Sequence, residues 1–224
     1  NRIEVFNNFD MYDVIVIGSG HAGCEAAFAS AKNNCRTLLI TINLDSIAHM
    51  PCNSSMGGPG RGQLIREIDA LGGIMGKNTD KCFINSRMLN TSRGPALRTI
   101  RSIVDKKMYF LSMKETLENL DNLDLKQGLV SGIELLADGY NVSTSDGNFY
   151  KCKSIVITTG TFLRGKIFWG DFEMPAGRQG EINSVKFVQS LESLGYKFGR
   201  LRTETPPRID KKTVDFSALK IQPY

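Results

Sequence analysis

The sequence predicts an α/β fold, a doubly wound Rossmann-like domain with an antiparallel β-hairpin lobe, and three consecutive segments near its start predict it. Residues 12–17 read Y-D-V-I-V-I, residues 18–23 read G-S-G-H-A-G, and an alanine-rich stretch then runs to Lys32. A second apolar run, R-T-L-L-I-T, occupies 36–41. Strand, glycine turn, helix and strand within about thirty residues make a βαβ unit.

The run at 12–17 is short, apolar and β-branched, the pattern of a strand buried on both faces of a parallel sheet. In the turn, Gly18 serves the tight bend, Gly20 leaves room for a pyrophosphate, and Gly23 allows the helix to approach the strand. Ala27 and Ala31 extend that small face at four-residue spacing. Ser19, His21 and Ala22 complete the turn, and His21 contributes through its backbone N–H more than its ring. Free amides and the dipole at the helix start favour phosphate. Thr41-Ile42-Asn43 stands where an acidic residue would take the ribose hydroxyls, so a hydroxyl or amide is expected to do so instead. No basic residue stands there to hold a 2′-phosphate. The motif alone leaves FAD and NAD both open.

From residue 43 the texture changes. Pro51, Gly57-Gly58-Pro59-Gly60 and Gly62 form a glycine-rich excursion. A helix is expected over 63–71, with Leu64, Ile65, Ile68 and Leu71 on one face and Gly72-Gly73 as its stop. A second helix is expected over 100–120, its stripe running through Val104, Met108, Leu111, Met113, Leu117 and Leu120. Strands follow at 130–136, 140–145, 149–153 and 155–158, with Asp146-Gly147 as a hairpin turn. Ser184 reads as the N-cap of a helix over 185–194 that ends before Gly195. No second glycine turn after a strand is legible. The expected organisation is a dinucleotide-binding domain over 11–200 with an excursion at 43–125. An extension or tag occupies 1–10, and a truncated following domain begins at 201–224.

Composition narrows the function classes. The chain has 224 residues, 41% hydrophobic and 23% charged, which excludes a disordered or fibrous protein. No apolar run approaches the roughly 18–20 residues of a membrane-spanning helix. Five cysteines form no C-x-x-C pair and only two histidines are present, so neither a disulfide framework nor a metal site is expected. A reducing, cytoplasmic setting follows. The net charge of +5 permits a polyanionic partner. Arg87, Arg93, Arg98, Arg101, Lys106 and Lys107 cluster against Asp105 alone, which suits nucleic-acid phosphates or a solvated face about equally.

Several separated motifs resemble the MnmG/GidA family of flavoprotein tRNA-modifying enzymes. They are Gly18–Gly23 followed by Cys24-Glu25-Ala26-Ala27, Pro51-Cys52-Asn53, Gly57-Gly58-x-Gly60-x-Gly62, and Glu67-Ile68-Asp69-Ala70-Leu71-Gly72-Gly73. Arg87-Met88-Leu89-Asn90-x-Ser92-x-Gly94-Pro95-Ala96, Gly160-Thr161-Phe162-Leu163-x-Gly165-Lys166-Ile167 and Thr205-Pro206-Pro207-Arg208-Ile209-Asp210 continue the match. Ser19 departs from a usual glycine.

The resemblance implies FAD, NADH and methylenetetrahydrofolate as cofactors. It implies a partner GTPase of the MnmE type, tRNA as substrate, and a homodimer in the full-length form. The implied reaction adds an aminomethyl or carboxymethylaminomethyl group to C5 of the wobble uridine. It places the FAD pyrophosphate at Gly18–Gly23, further FAD contacts at Val130 and Ser184, and a required thiol at Cys52. It also implies that the NADH-binding part, a second cysteine and the partner-binding helices lie beyond Tyr224, so that these residues alone are inactive. Two other readings stand beside it: a non-catalytic FAD-binding fragment or paralogue, and a folate-dependent tRNA methyltransferase flavoprotein. A disulfide oxidoreductase is disfavoured by the missing C-x-x-C. An accessible Cys52 suits a nucleophile, whereas most free cysteines are buried apolar residues.

Overall fold

The structure, a computed structural model, describes residues 11–220; the expected extension at 1–10 lies outside them. In chain order the elements are β1 (Tyr12–Ile17), α1 (His21–Lys32), β2 (Thr37–Thr41), β3 (Ser55–Gly57), α2 (Arg61–Ala70), α3 (Met75–Cys82), β4 (Phe83–Leu89) and β5 (Thr99–Val104). There follow α4 (Lys106–Glu118), β6 (Leu123–Gln127), β7 (Val130–Leu136), β8 (Gly139–Thr144), β9 (Phe149–Ile157), β10 (Lys166–Trp169), β11 (Phe172–Pro175) and α5 (Val185–Ser193). Contacts divide the chain into two units. The first takes in the chain to Ala48 together with Phe110–Phe198, and the second takes in His49–Tyr109 together with the chain from Gly199.

The first unit is built on a six-stranded sheet in the order β6-β2-β1-β9-β8-β7. The strands β6, β2, β1 and β9 run parallel, whereas β8 and β7 continue the sheet antiparallel. β1 is therefore flanked by parallel strands on both sides, with Ile15 opposite Leu38 on β2 and Ile155 on β9. That placement explains its apolar sequence: Ile15, Val16 and Ile17 are all buried. Ile15, Ile17, Leu38, Ile40, Val130, Val142, Cys152, Phe187 and Leu191 form one core cluster. α1 buries Gly23, Cys24, Ala27, Phe28 and Ala31, so the small residues spaced by four do face inward.

The hairpin expected around Asp146-Gly147 is present between β8 and β9. Its second arm is one nine-residue strand rather than two. One end pairs with β8 and the other with β1, so the antiparallel arm grows directly out of the parallel sheet.

The second unit holds a three-stranded antiparallel sheet in the order β3-β5-β4, with α2 and α3. The helix expected over 100–120 begins only at Lys106. Thr99–Val104 is strand instead, because it pairs antiparallel with β3 on one side and β4 on the other, which buries Thr99, Ser102 and Val104. α2 occupies the expected place, but Leu64 and Leu71 on its apolar face are 58% and 90% exposed. α3 carries no apolar stripe and buries Asn78 and Thr79 instead. The Asn78 Nδ2 donates to the Tyr109 carbonyl at 3.0 Å, which satisfies one end of that amide inside the unit.

Candidate dinucleotide site and cysteine loop

The glycine turn joins the carboxyl end of β1 to α1, where a doubly wound sheet places its ligand. Each glycine does a separate job. Gly18 has φ +103°, and a Cβ there would lie 2.7 Å from the Thr158 carbonyl oxygen. A Cβ on Gly23 would come within 1.8 Å of the Gly18 carbonyl oxygen, so α1 could not sit this close to β1 with any side chain there. Gly20 differs: its backbone is ordinary, at φ −66°, and a Cβ would meet nothing within 4 Å. The protein leaves that volume clear. A clear volume at a helix start, with no acidic residue in the first turn, fits a pyrophosphate.

Thr158 locks this turn, a role that the sequence reading missed. Its hydroxyl sits 2.9 Å from both the Ile17 and the Gly18 carbonyl oxygens, and its amide donates to Ile17. Ser19 is buried, with its hydroxyl 2.7 Å from that of Thr41. Its carbonyl accepts from the Ala48 amide at 2.8 Å and from the Cys24 thiol at 3.3 Å. The expected ribose contact at Thr41 is thereby engaged inside the protein, and the Asn43 Oδ1 accepts from the Asp45 amide. His21 and Ala22 open α1.

Val130 and Ser184 stand 54 positions apart and meet: the Ser184 hydroxyl donates to the Val130 carbonyl at 3.3 Å. Ser184 does precede α5, but it makes no side-chain cap there, because its hydroxyl is directed to β7. The Gly128 amide donates to the Thr41 carbonyl at 2.8 Å. The segment entering β7 is thus tied to the end of β2, whose Thr41 is bonded to Ser19 of the glycine turn.

Cys52 belongs to the second unit, in the loop before β3. It is half-buried, and its Sγ lies 3.3 Å from the Thr205 Oγ1. Arg208 donates from Nη2 to the Pro51 carbonyl at 2.7 Å and to the Cys52 carbonyl at 3.4 Å. The T-P-P-R segment therefore holds the cysteine loop from both its thiol and its backbone. Cys24, Cys82 and Cys152 differ in setting, being buried. Burial pushes the Cys24 thiol up to about 12 and the Cys152 thiol up to about 11, and it raises Cys82 as well. Protonated, enclosed thiols are poor nucleophiles.

The basic stretch separates into different environments. Arg87 and Arg101 are cross-strand partners on β4 and β5. Arg101 donates from Nε and Nη2 to the Ser55 hydroxyl at 3.1 and 2.9 Å, and Arg98 donates to the Arg93 carbonyl at 3.4 Å. Among the described residues, no group of three or more His, Cys, Asp or Glu side chains is placed to hold a metal, and no helix is long and apolar enough to cross a membrane.

Comparison with known proteins agrees with this architecture. The family model described as glucose inhibited division protein A matches residues 13–224. The tRNA uridine 5-carboxymethylaminomethyl modification enzyme MnmG of Geobacillus thermodenitrificans is 54% identical over 214 residues, covering 95% of this chain and 34% of that protein. The enzyme of the same name from Roseiflexus is 50% identical over 229 residues, with the same coverage of 95% and 34%. The chain thus spans about a third of the length of the curated relatives it matches. The crystal structure of Aquifex aeolicus GidA superposes with a TM-score of 0.89 at 45% identity, covering 94% of this chain and 35% of that one. A GidA-related protein from Thermus thermophilus shares the fold, with a TM-score of 0.61 at 23% identity.

Proposed function

The chain belongs to the glucose inhibited division protein A family, and from that premise we propose that it is the FAD-binding portion of a flavoenzyme that modifies the wobble uridine of tRNA. The observation that carries the reading is the clear volume at Gly20, framed by Gly18, Gly23 and the start of α1. In this proposal the first turn of α1 receives the FAD pyrophosphate, while Val130 and Ser184 support the cofactor from β7 and the start of α5. FAD, when bound, supplies hydride chemistry between NADH and a one-carbon unit from methylenetetrahydrofolate.

The protein's own residues bind, orient and attack. Cys52 supplies a nucleophilic thiol for covalent engagement of the uridine or the one-carbon unit. Thr205 and Arg208 position that thiol by fixing its loop. The product would be a uridine carrying an aminomethyl or carboxymethylaminomethyl group at C5, made in the cytoplasm with a GTPase of the MnmE type and in a homodimeric full-length enzyme. The relatives named as MnmG support this reading over a tRNA methyltransferase flavoprotein.

The test is flavin occupancy. The purified chain, given FAD and desalted, should show flavin absorption at a ratio near one per chain, and Gly20→Val should lose it while remaining folded. A wild-type chain that never takes up FAD, or a folded Gly20→Val variant that keeps it, overturns the proposal.

A further inference from the structure

A polar cavity lies wholly within the second unit, at the turn between β3 and α2. It measures about 230 Å³, several times the roughly 30 Å³ that a water occupies in the liquid. Asn53, Ser55, Gly58, Arg61 and Arg101 are among the residues lining it. No aspartate or glutamate lines it. Arg101 is held by two hydrogen bonds to the Ser55 hydroxyl, which also lines the cavity, and that neutral partner leaves the guanidinium charge uncancelled. Among the described residues, neither Arg61 nor Arg101 has a carboxylate partner.

The backbone adds donors of its own. The Gly58 amide goes to the Ile100 carbonyl and the Gly62 amide to the Gly58 carbonyl, whereas the amides of Gly60 and Arg61 find no acceptor among the described residues. Two guanidinium groups without a carboxylate partner and the free amide of Arg61 line one concave space, a set of donors that suits an anion. The planar forks of arginine match tetrahedral phosphate oxygens better than they match a point anion.

We infer that this cavity is a phosphate-binding site, distinct from the Gly18–Gly23 turn, and that it takes a backbone phosphate of single-stranded RNA through Arg61 and Arg101. That the phosphate belongs to RNA rests on the functional reading above; that the cavity takes a phosphate rests on its own lining. Asn53 lines the cavity and directly follows Cys52 in the chain. A phosphate held there would bring a nucleotide of the strand to the loop that carries the thiol.

The test uses the 224-residue chain and a short oligouridylate, with binding followed by fluorescence anisotropy across a salt series. Losing both arginine contacts in Arg61→Gln/Arg101→Gln should flatten the log–log salt slope by about 1.4, since each single-strand phosphate contact contributes about 0.7. Affinity at 0.1 M salt should fall at least about tenfold per charge-assisted contact removed. Arg101→Lys keeps the charge and should keep the slope while losing affinity. Arg61 is exposed, so Arg61→Gln alone does not threaten folding and should take about 0.7 from the slope. A wild-type chain that does not bind the oligonucleotide, or an unchanged slope in the double variant, overturns the inference. So does displacement of the oligonucleotide by inorganic phosphate at equal concentration, which would assign the cavity to a free anion. Flavin uptake, read in the same samples, should be unaffected in every variant; its loss in the wild type would count against the FAD proposal and not against the cavity.

Discussion

The thiol of Cys52 lies 3.3 Å from the hydroxyl of Thr205, although 153 positions separate them in the chain. As a thiolate the sulfur can only accept, so in that state the Thr205 hydroxyl must donate to it. Thr205→Val should therefore slow alkylation of Cys52 about fivefold, the loss of one ordinary hydrogen bond. Mass-spectrometric time courses with iodoacetamide measure this; an unchanged rate would show that the contact does not tune the thiol.

The two outer glycines of the turn and the middle one should fail in opposite ways. Gly23→Ala forces a Cβ to within 1.8 Å of the Gly18 carbonyl oxygen. It should cost at least about 1–3 kcal/mol, with the melting temperature falling about 2–4 °C for each kcal/mol. Gly20→Val should melt close to wild type, because a Cβ there meets only open space. Thermal melts of both apo proteins check the contrast.

Thr158→Val removes the hydroxyl that meets the Ile17 and Gly18 carbonyls, each at 2.9 Å. About 1–3 kcal/mol of stability should be lost. FAD affinity should also fall, because Gly18 loses the contact that fixes it. Calorimetric titration with FAD separates the two effects from those of Gly20→Val, which should lose binding without losing stability.

The buried thiols set an alkaline limit. Cys24 and Cys152 stay protonated in the folded chain until about 12 and about 11, whereas an unfolded thiol ionises near 8.5. Above that lower value the unfolded state releases protons that the folded state retains. The contribution is thus fully present below about pH 8.5 and is lost as pH rises toward the folded values. Denaturant midpoints should fall between about pH 8.5 and 10.5, and Cys24→Ala should reduce the drop. Under the same conditions Cys52 should alkylate in the folded protein, while Cys24, Cys82 and Cys152 should require unfolding.

The parts legible in the sequence are those built from neighbours in the chain. β1, the glycine turn and α1 follow one another directly, and Tyr12–Ile17 is bounded as its β-branched run predicts. Thr158 was invisible as a lock because it reaches Gly18 from 140 positions away. Thr99–Val104 was drawn into the helix that follows it, since Val104 falls in register with Met108 and Leu111. Pairing with β3 and β4 decides for strand, and no local pattern carries that information. α3 escaped because M-G-K-N-T-D-K-C shows no apolar period and depends on buried Asn78 and Thr79. The cavity at β3–α2 escaped for a related reason. Three residues of strand before a glycine turn are too few to read as a strand, so the excursion did not register as strand, turn and helix.

The hold of Thr205 and Arg208 on the cysteine loop also sets a schedule. At roughly 5–20 residues per second, a ribosome needs roughly eight to thirty seconds to travel the 153 positions from Cys52 to Thr205. Throughout that interval the nascent thiol is already made and its restraining partners do not yet exist. Whatever order β3, β4 and β5 reach on their own, the loop acquires its final form late, when the T-P-P-R segment emerges. The pace of translation, more than local propensity, decides when Cys52 becomes the residue described here.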